Sequence, residues 1–159
     1  MDNVDKQQLK DYTRLREEIE CEQERLEMME IKILGISSKN SDGMPRSSSS
    51  EYDKMATQIA YKTDIENNLA QLIQKEKSKR MEIEKEIVER LEYPDERMII
   101  RLRYIDGLSW REISELLFSK RRDYYDEEEK YKKRVYRLHG NALVKLSNAN
   151  NGVKGSKRE

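Results

Sequence analysis

One cysteine, one histidine, two prolines, one phenylalanine and one tryptophan in 159 residues leave several common architectures without their materials. Cys21 has no partner for an internal disulfide, and nothing pairs it with His139 at metal-ligand spacing, so a disulfide scaffold and a metal-stapled fold are both excluded. Only 35% of residues are hydrophobic while 40% are charged, too little apolar surface for a large globular core. No apolar run approaches the roughly 20 residues that a membrane span needs. The opening MDNVDKQQLK is too polar for a signal peptide, so a cytoplasmic protein without membrane contact is expected.

What remains is abundant Glu, Lys, Arg, Leu, Ile and Met, the composition of long helices with a narrow apolar stripe. Tyr12, Leu15, Ile19, Leu26, Met29 and Ile33 follow three- and four-residue steps, with Glu22 the polar intruder, and read as the seam of a helix from about Asp5 to Leu34. Residues 35–51, GISSKNSDGMPRSSSSE, hold glycines, a proline and many serines, and read as a flexible linker. A second long helix is expected from about Tyr52 to Leu91, with Ile59, Ile65, Leu69, Leu72, Ile83, Ile87 and Leu91 near one face and KEKSK (75–79) interrupting the stripe. Two such helices can close as an antiparallel hairpin. A coiled coil between two copies of the chain uses the same stripe, and the pattern leaves the homo-oligomer open.

Pro94 suits a first helical turn and separates residues 1–92 from a second region, 93–147, ahead of a polar, disordered tail, 148–159. Three short helices are expected here. The first spans about Asp95–Tyr104 and ends at Asp106-Gly107. The second opens on a capping box, Ser109 with Glu112, and continues through Ile113, Leu116 and Leu117 as core residues. The third, about Glu128–Ser147, places Val135, Leu138, Ala142 and Leu146 on one face. The fold class is therefore all-α, a helical hairpin or coiled coil followed by a three-helix helix-turn-helix.

Charge is segregated although the formal net charge is zero. Residues 1–34 carry ten acids against six bases, and residues 130–146 carry six bases and no acid. At about 100° per residue, Lys130, Lys133, Arg137 and Gly140 fall opposite Val135, with Arg134 and Tyr136 flanking them. A recognition helix needs this division: one face anchors it, and the other offers long cations to phosphates and guanine edges of double-stranded DNA. Gly140 on the presented face permits close approach. Lys132, Asn141, Lys145 and, from the preceding helix, Arg111 complete the candidate DNA-binding set.

EYPDERMIIRLRYIDGLSWREISELL resembles the start of sigma-70 region 4, through Leu102, Arg103, Tyr104, Gly107, Ser109, Glu112 and Ile113; RLHGNALVKL resembles its end. Trp110, the RLHGNAL segment and the serine-rich break are similar to a family of phage and prophage proteins of Gram-positive bacteria, described as sigma-70 region 4-like or late-gene regulators. The resemblance implies a transcription regulator in the bacterial cytoplasm, with host RNA polymerase as a partner. One departure is FSKRRDYYDEEEKYKKR between Leu117 and Val135, where the family has a tight turn. This insertion either extends the third helix or forms a loop.

Several residues have plainer roles. Trp110 reads as a plug between helices, His139 as a residue flanking the core, and Tyr124 and Tyr125 as loop packing. No carboxylate is paired with a base, nucleophile or metal ligand in a recognisable pattern, so no enzymatic activity, metal or other cofactor is expected. Two competing functions use the same parts: a DNA-packaging factor like a small terminase subunit, and a protein-binding adaptor that keeps the helix-turn-helix as a scaffold.

Overall fold

The computed structural model describes residues 4–39 and 48–148, with side chains described for 4–35 and 52–148. Every regular element among these residues is helical: α1 (Lys6–Lys39), α2 (Ser48–Arg90), α3 (Pro94–Ile100), a π-helical turn (Arg101–Ile105), α4 (Trp110–Phe118) and α5 (Glu128–Ser147). The protein is all-α. The stretch read as a linker, 35–51, carries the last residues of α1 and the first of α2, while residues 40–47 lie outside the described residues, as does the expected tail beyond Asn148. KEKSK does not interrupt α2, which runs unbroken through it.

Residues up to Arg14 and from Ser78 onward form one compact unit, and Leu15–Lys77 forms a second. In the second unit the half-buried positions of α1 are Ile19, Glu22, Leu26, Met29 and Ile33, on the expected seam, with Leu15 buried. On α2 Ile65 and Leu69 are buried, but Ile59, expected inward, is 46% exposed and Gln58 takes the inward position. Lys62 is half-buried, its Nζ 3.4 Å from both Glu30 of α1 and Glu66.

The first unit holds two apolar clusters. One gathers Leu9 and Tyr12 of α1, Ile83, Ile87 and Leu91 at the end of α2, Ile100, Tyr104 and Ile105, and Ala142 and Leu146 of α5. The other gathers Ile99, Leu102, Ile113, Phe118, Tyr124, Tyr131 and Val135, with Leu108, Trp110, Leu117 and Leu138 packed against it. The π-helical turn explains how one short segment serves both. Its wider i→i+5 bonding, seen where Asp106 donates its amide to the Arg101 carbonyl at 2.9 Å, shifts the phase of the side chains. Ile99 and Leu102 thus enter one cluster while Ile100, Tyr104 and Ile105 enter the other. The expected single helix over 95–104 is replaced by this compound element, because two apolar surfaces must be filled from one strip of chain. Gly107, at φ 75°, then reverses the chain in the left-handed conformation that other residues resist, and the Leu108 amide closes on the Leu102 carbonyl at 2.9 Å.

Guanidinium groups tie these pieces together through backbone carbonyls. Arg90 donates to the Leu146 carbonyl at 2.8 Å, and Arg97 donates to the carbonyls of Leu91 and, at 3.1 Å, Val88. Arg101 forks onto the Glu84 carboxylate, with Nε and Nη2 3.0 and 2.8 Å from Oε2. Compactness therefore does not break at Pro94: the end of α2 is packed into the region that follows it.

Leu116 is a correction. Expected in the core, it is 59% exposed, and Phe118 is buried instead. In a nine-residue helix whose inner face is set by Ile113, Ser114 and Phe118, Leu116 falls on the outer side.

Candidate nucleic-acid interface

The opening of α4 is set locally. The Glu112 amide donates to Ser109 Oγ at 3.3 Å while the Ser109 amide donates to the Glu112 carboxylate at 2.7 Å, so the expected capping box is formed. These bonds hold the Glu112 carboxyl below its usual pKa range, the Ser109 contacts being the cause. Ahead of it Trp110 lies among three side chains. The Arg103 guanidinium sits 4.6 Å over its ring, and the Tyr136 and His139 rings meet it edge-on at 5.1 and 4.7 Å. His139 Nε2 and the Tyr104 hydroxyl are 3.0 Å apart. Burial, and secondarily the charges of Lys6 and Arg103, depress the His139 pKa to about 4, so the ring is neutral at physiological pH.

Tyr131, Val135, Ala142 and Leu146 are the buried residues of α5, with Leu138 half-buried. The ten proposed DNA-binding residues divide by what surrounds them. Lys133, Arg137 and Asn141 on α5 and Arg111 on α4 are exposed, and none of their charges is ion-paired among the described residues. Gly140 is half-buried, and a methyl group added there would meet nothing within 4 Å. Nothing inside the protein therefore requires a glycine at that position.

The other candidates have partners. Lys132 is exposed with its Nζ 3.8 Å from Glu129. The Arg134 guanidinium lies 5.2 Å over the Phe118 ring, and Tyr136, 43% exposed, packs on Trp110. Lys130 donates to Asp123 at 3.2 Å and to Glu127, which raise its pKa, with Glu127 the larger cause. Lys145 is drawn away from the open face. Its Nζ bonds both oxygens of Glu96, at 2.9 and 2.8 Å, and lies 4.5 Å from the Tyr93 ring centre. Glu96 is only 3% exposed, so this lysine neutralises a buried carboxylate.

The insertion resolves into turns over Ser119–Asp126, with α5 starting only at Glu128. Tyr124 is buried against Tyr131, ring centres 5.6 Å apart, and Tyr131 packs on Phe118 at 5.1 Å. The Tyr131 hydroxyl donates to Asp123 at 2.6 Å, which together with Lys130 keeps that carboxyl below its usual range. Tyr125 is 68% exposed, its ring edge-on to Tyr124. Sequence reasoning saw acids and bases mixed in this segment and missed which acids are neutralised within it. The i,i+3 spacing of Glu127 and Lys130 was the one available signal.

The family described as protein of unknown function (DUF1492) matches residues 35–135. The match takes in Arg111 and the first turns of α5 and ends before Tyr136. No curated protein and no solved structure matches the chain.

Proposed function

We propose that this chain, which belongs to the family described as protein of unknown function (DUF1492), is a sequence-specific DNA-binding regulator of transcription that inserts α5 into the major groove. One observation carries the reading: α5 is anchored by Val135, Ala142 and Leu146 at 0% exposure while Lys133 and Arg137, one turn apart, stand unpaired on the far side. Arg137 is the residue assigned to a base edge, Lys133 and Arg111 to phosphates, and Gly140 to the close approach. Lys145 is left out, because its charge belongs to Glu96. α4 and α5, joined by the 119–127 turns, form the helix-turn-helix of this reading. The resemblance to sigma-70 region 4 supports a phage regulator that acts with bacterial RNA polymerase.

The test is a salt titration of the full chain on a duplex enriched from a random pool and on a scrambled duplex of the same composition. Arg137→Ala is expected to cost about 1–3 kcal/mol on the enriched duplex and to relax the preference for it. Lys133→Ala is expected to weaken both duplexes alike and to reduce the salt slope by about one. Failure of the wild-type chain to enrich any duplex, or equal and salt-independent binding by both variants, overturns the proposal.

A further inference from the structure

We infer that the segment 119–127 is a fixed phosphate-gripping arm, in which Lys120, Arg121 and Arg122 hold the DNA backbone beside the groove that α5 enters. The inference rests on the DNA-binding reading above and adds residues to it. Cations in a mobile loop lose side-chain and backbone freedom on binding. This segment has already given that freedom up. Its floor is Tyr124, 4% exposed, wedged against Tyr131, and its backbone is closed by the Arg121 amide on the Phe118 carbonyl at 2.9 Å and the Glu127 amide on the Asp123 carbonyl at 2.9 Å.

The charge arrangement decides what such an arm presents. Asp123 is taken up by Tyr131 and Lys130, Glu127 by Lys130, and Glu129 by Lys132. Lys120, Arg121 and Arg122 are exposed and have no ion-pair partner among the described residues, against Asp126 and Glu128 as the only acids of 123–129 left without one. Three adjacent cations match the spacing of a polyanion, which carries one charge per about 3.4 Å along each strand. Position supports the same partner. The arm leads directly into the first turn of α5, and base edges are met by the leading residues of a recognition helix while its surroundings hold the backbone. Lys130, bonded to the arm through Asp123, lies on the same side of α5 as Arg137. Tyr125, exposed at the tip, adds a hydroxyl donor of the kind that meets phosphate oxygens.

The experiment uses the full chain and the two duplexes already described. K120Q/R121Q/R122Q is compared with K54Q/K75Q/K77Q, which removes the same charge from exposed positions of α2. The arm variant is expected to weaken both duplexes by a similar factor and to flatten the salt slope by as much as about three, while retaining the preference between them. The α2 variant is expected to leave slope and affinity near wild type. Wild-type binding with an unchanged slope in the arm variant, or an equal drop in both variants, overturns the arm and leaves the α5 reading standing. A wild-type chain that enriches no duplex sinks the DNA-binding reading itself.

Discussion

His139 shows how much the surroundings of one side chain decide. Its depressed pKa means that between about 4 and the ordinary value near 6.5 the unfolded chain binds a proton that the folded chain refuses. Stability therefore rises with pH across that window and is lost as pH falls through it. The melting temperature of the wild-type chain is expected to decline between pH 6.5 and 5. His139→Gln, which keeps polar contact near Tyr104 without titrating, should flatten that decline. The carboxyls of Glu112 and Asp123, held below their usual range, titrate under this interval and do not confuse it. A wild-type decline that survives the substitution would place the proton elsewhere. Lys145 teaches the same lesson from the opposite direction: counted among six bases it looks like a DNA contact, and only its position 2.8 Å from the buried Glu96 shows where its charge is used.

Among the elements, legibility follows the range of the forces. The capping box at Ser109 and Glu112 and the 3.6-residue stripe of α5 depend on neighbours a turn away, and both were readable. The π-helical turn was not, because nothing in RLRYI asks for a wider helix; two separate apolar clusters do. The inner face of α4 also misled. WREISELLF offers Leu116, Leu117 and Phe118 in succession, and the choice of Phe118 depends on Tyr131 and Tyr124, which arrive from beyond the turns. Leu116→Ala is accordingly expected to change stability by no more than about 0.5 kcal/mol. Phe118→Ala is expected to cost about 3–5 kcal/mol. Chemical denaturation of the two variants checks the ordering, and a larger loss at Leu116 would reverse the assignment of faces. Of the candidate interface, the spacing of Lys133 and Arg137 was visible in sequence, whereas the pairing of Lys130 with Asp123 and Glu127 required the folded turn.

At the scale of the molecule, Pro94 looked like a domain boundary, yet the packing continues through it. Ile100, Tyr104, Ile105, Ala142 and Leu146 share their cluster with Leu9, Tyr12, Ile83, Ile87 and Leu91. A fragment beginning at residue 93 leaves those five residues without their cover. It is expected to melt without cooperativity and to bind a hydrophobic dye, whereas the full chain melts with a defined transition in this unit. Cooperative melting of the fragment with native near-ultraviolet dichroism would restore the boundary at Pro94. The π-helical turn in this unit also bears on how the chain tolerates changes in length. Five residues there occupy a turn that bonds one residue further along than an α-helix does. Losing one residue would let the backbone close into ordinary α geometry with its bonds intact. The sequence downstream would then be advanced by one position, about 100° around the axis, and Tyr104 and Ile105 would exchange their neighbours. The segment is thus permissive for the backbone and strict for the reading frame of its side chains: a deletion heals the helix and scrambles the two cores.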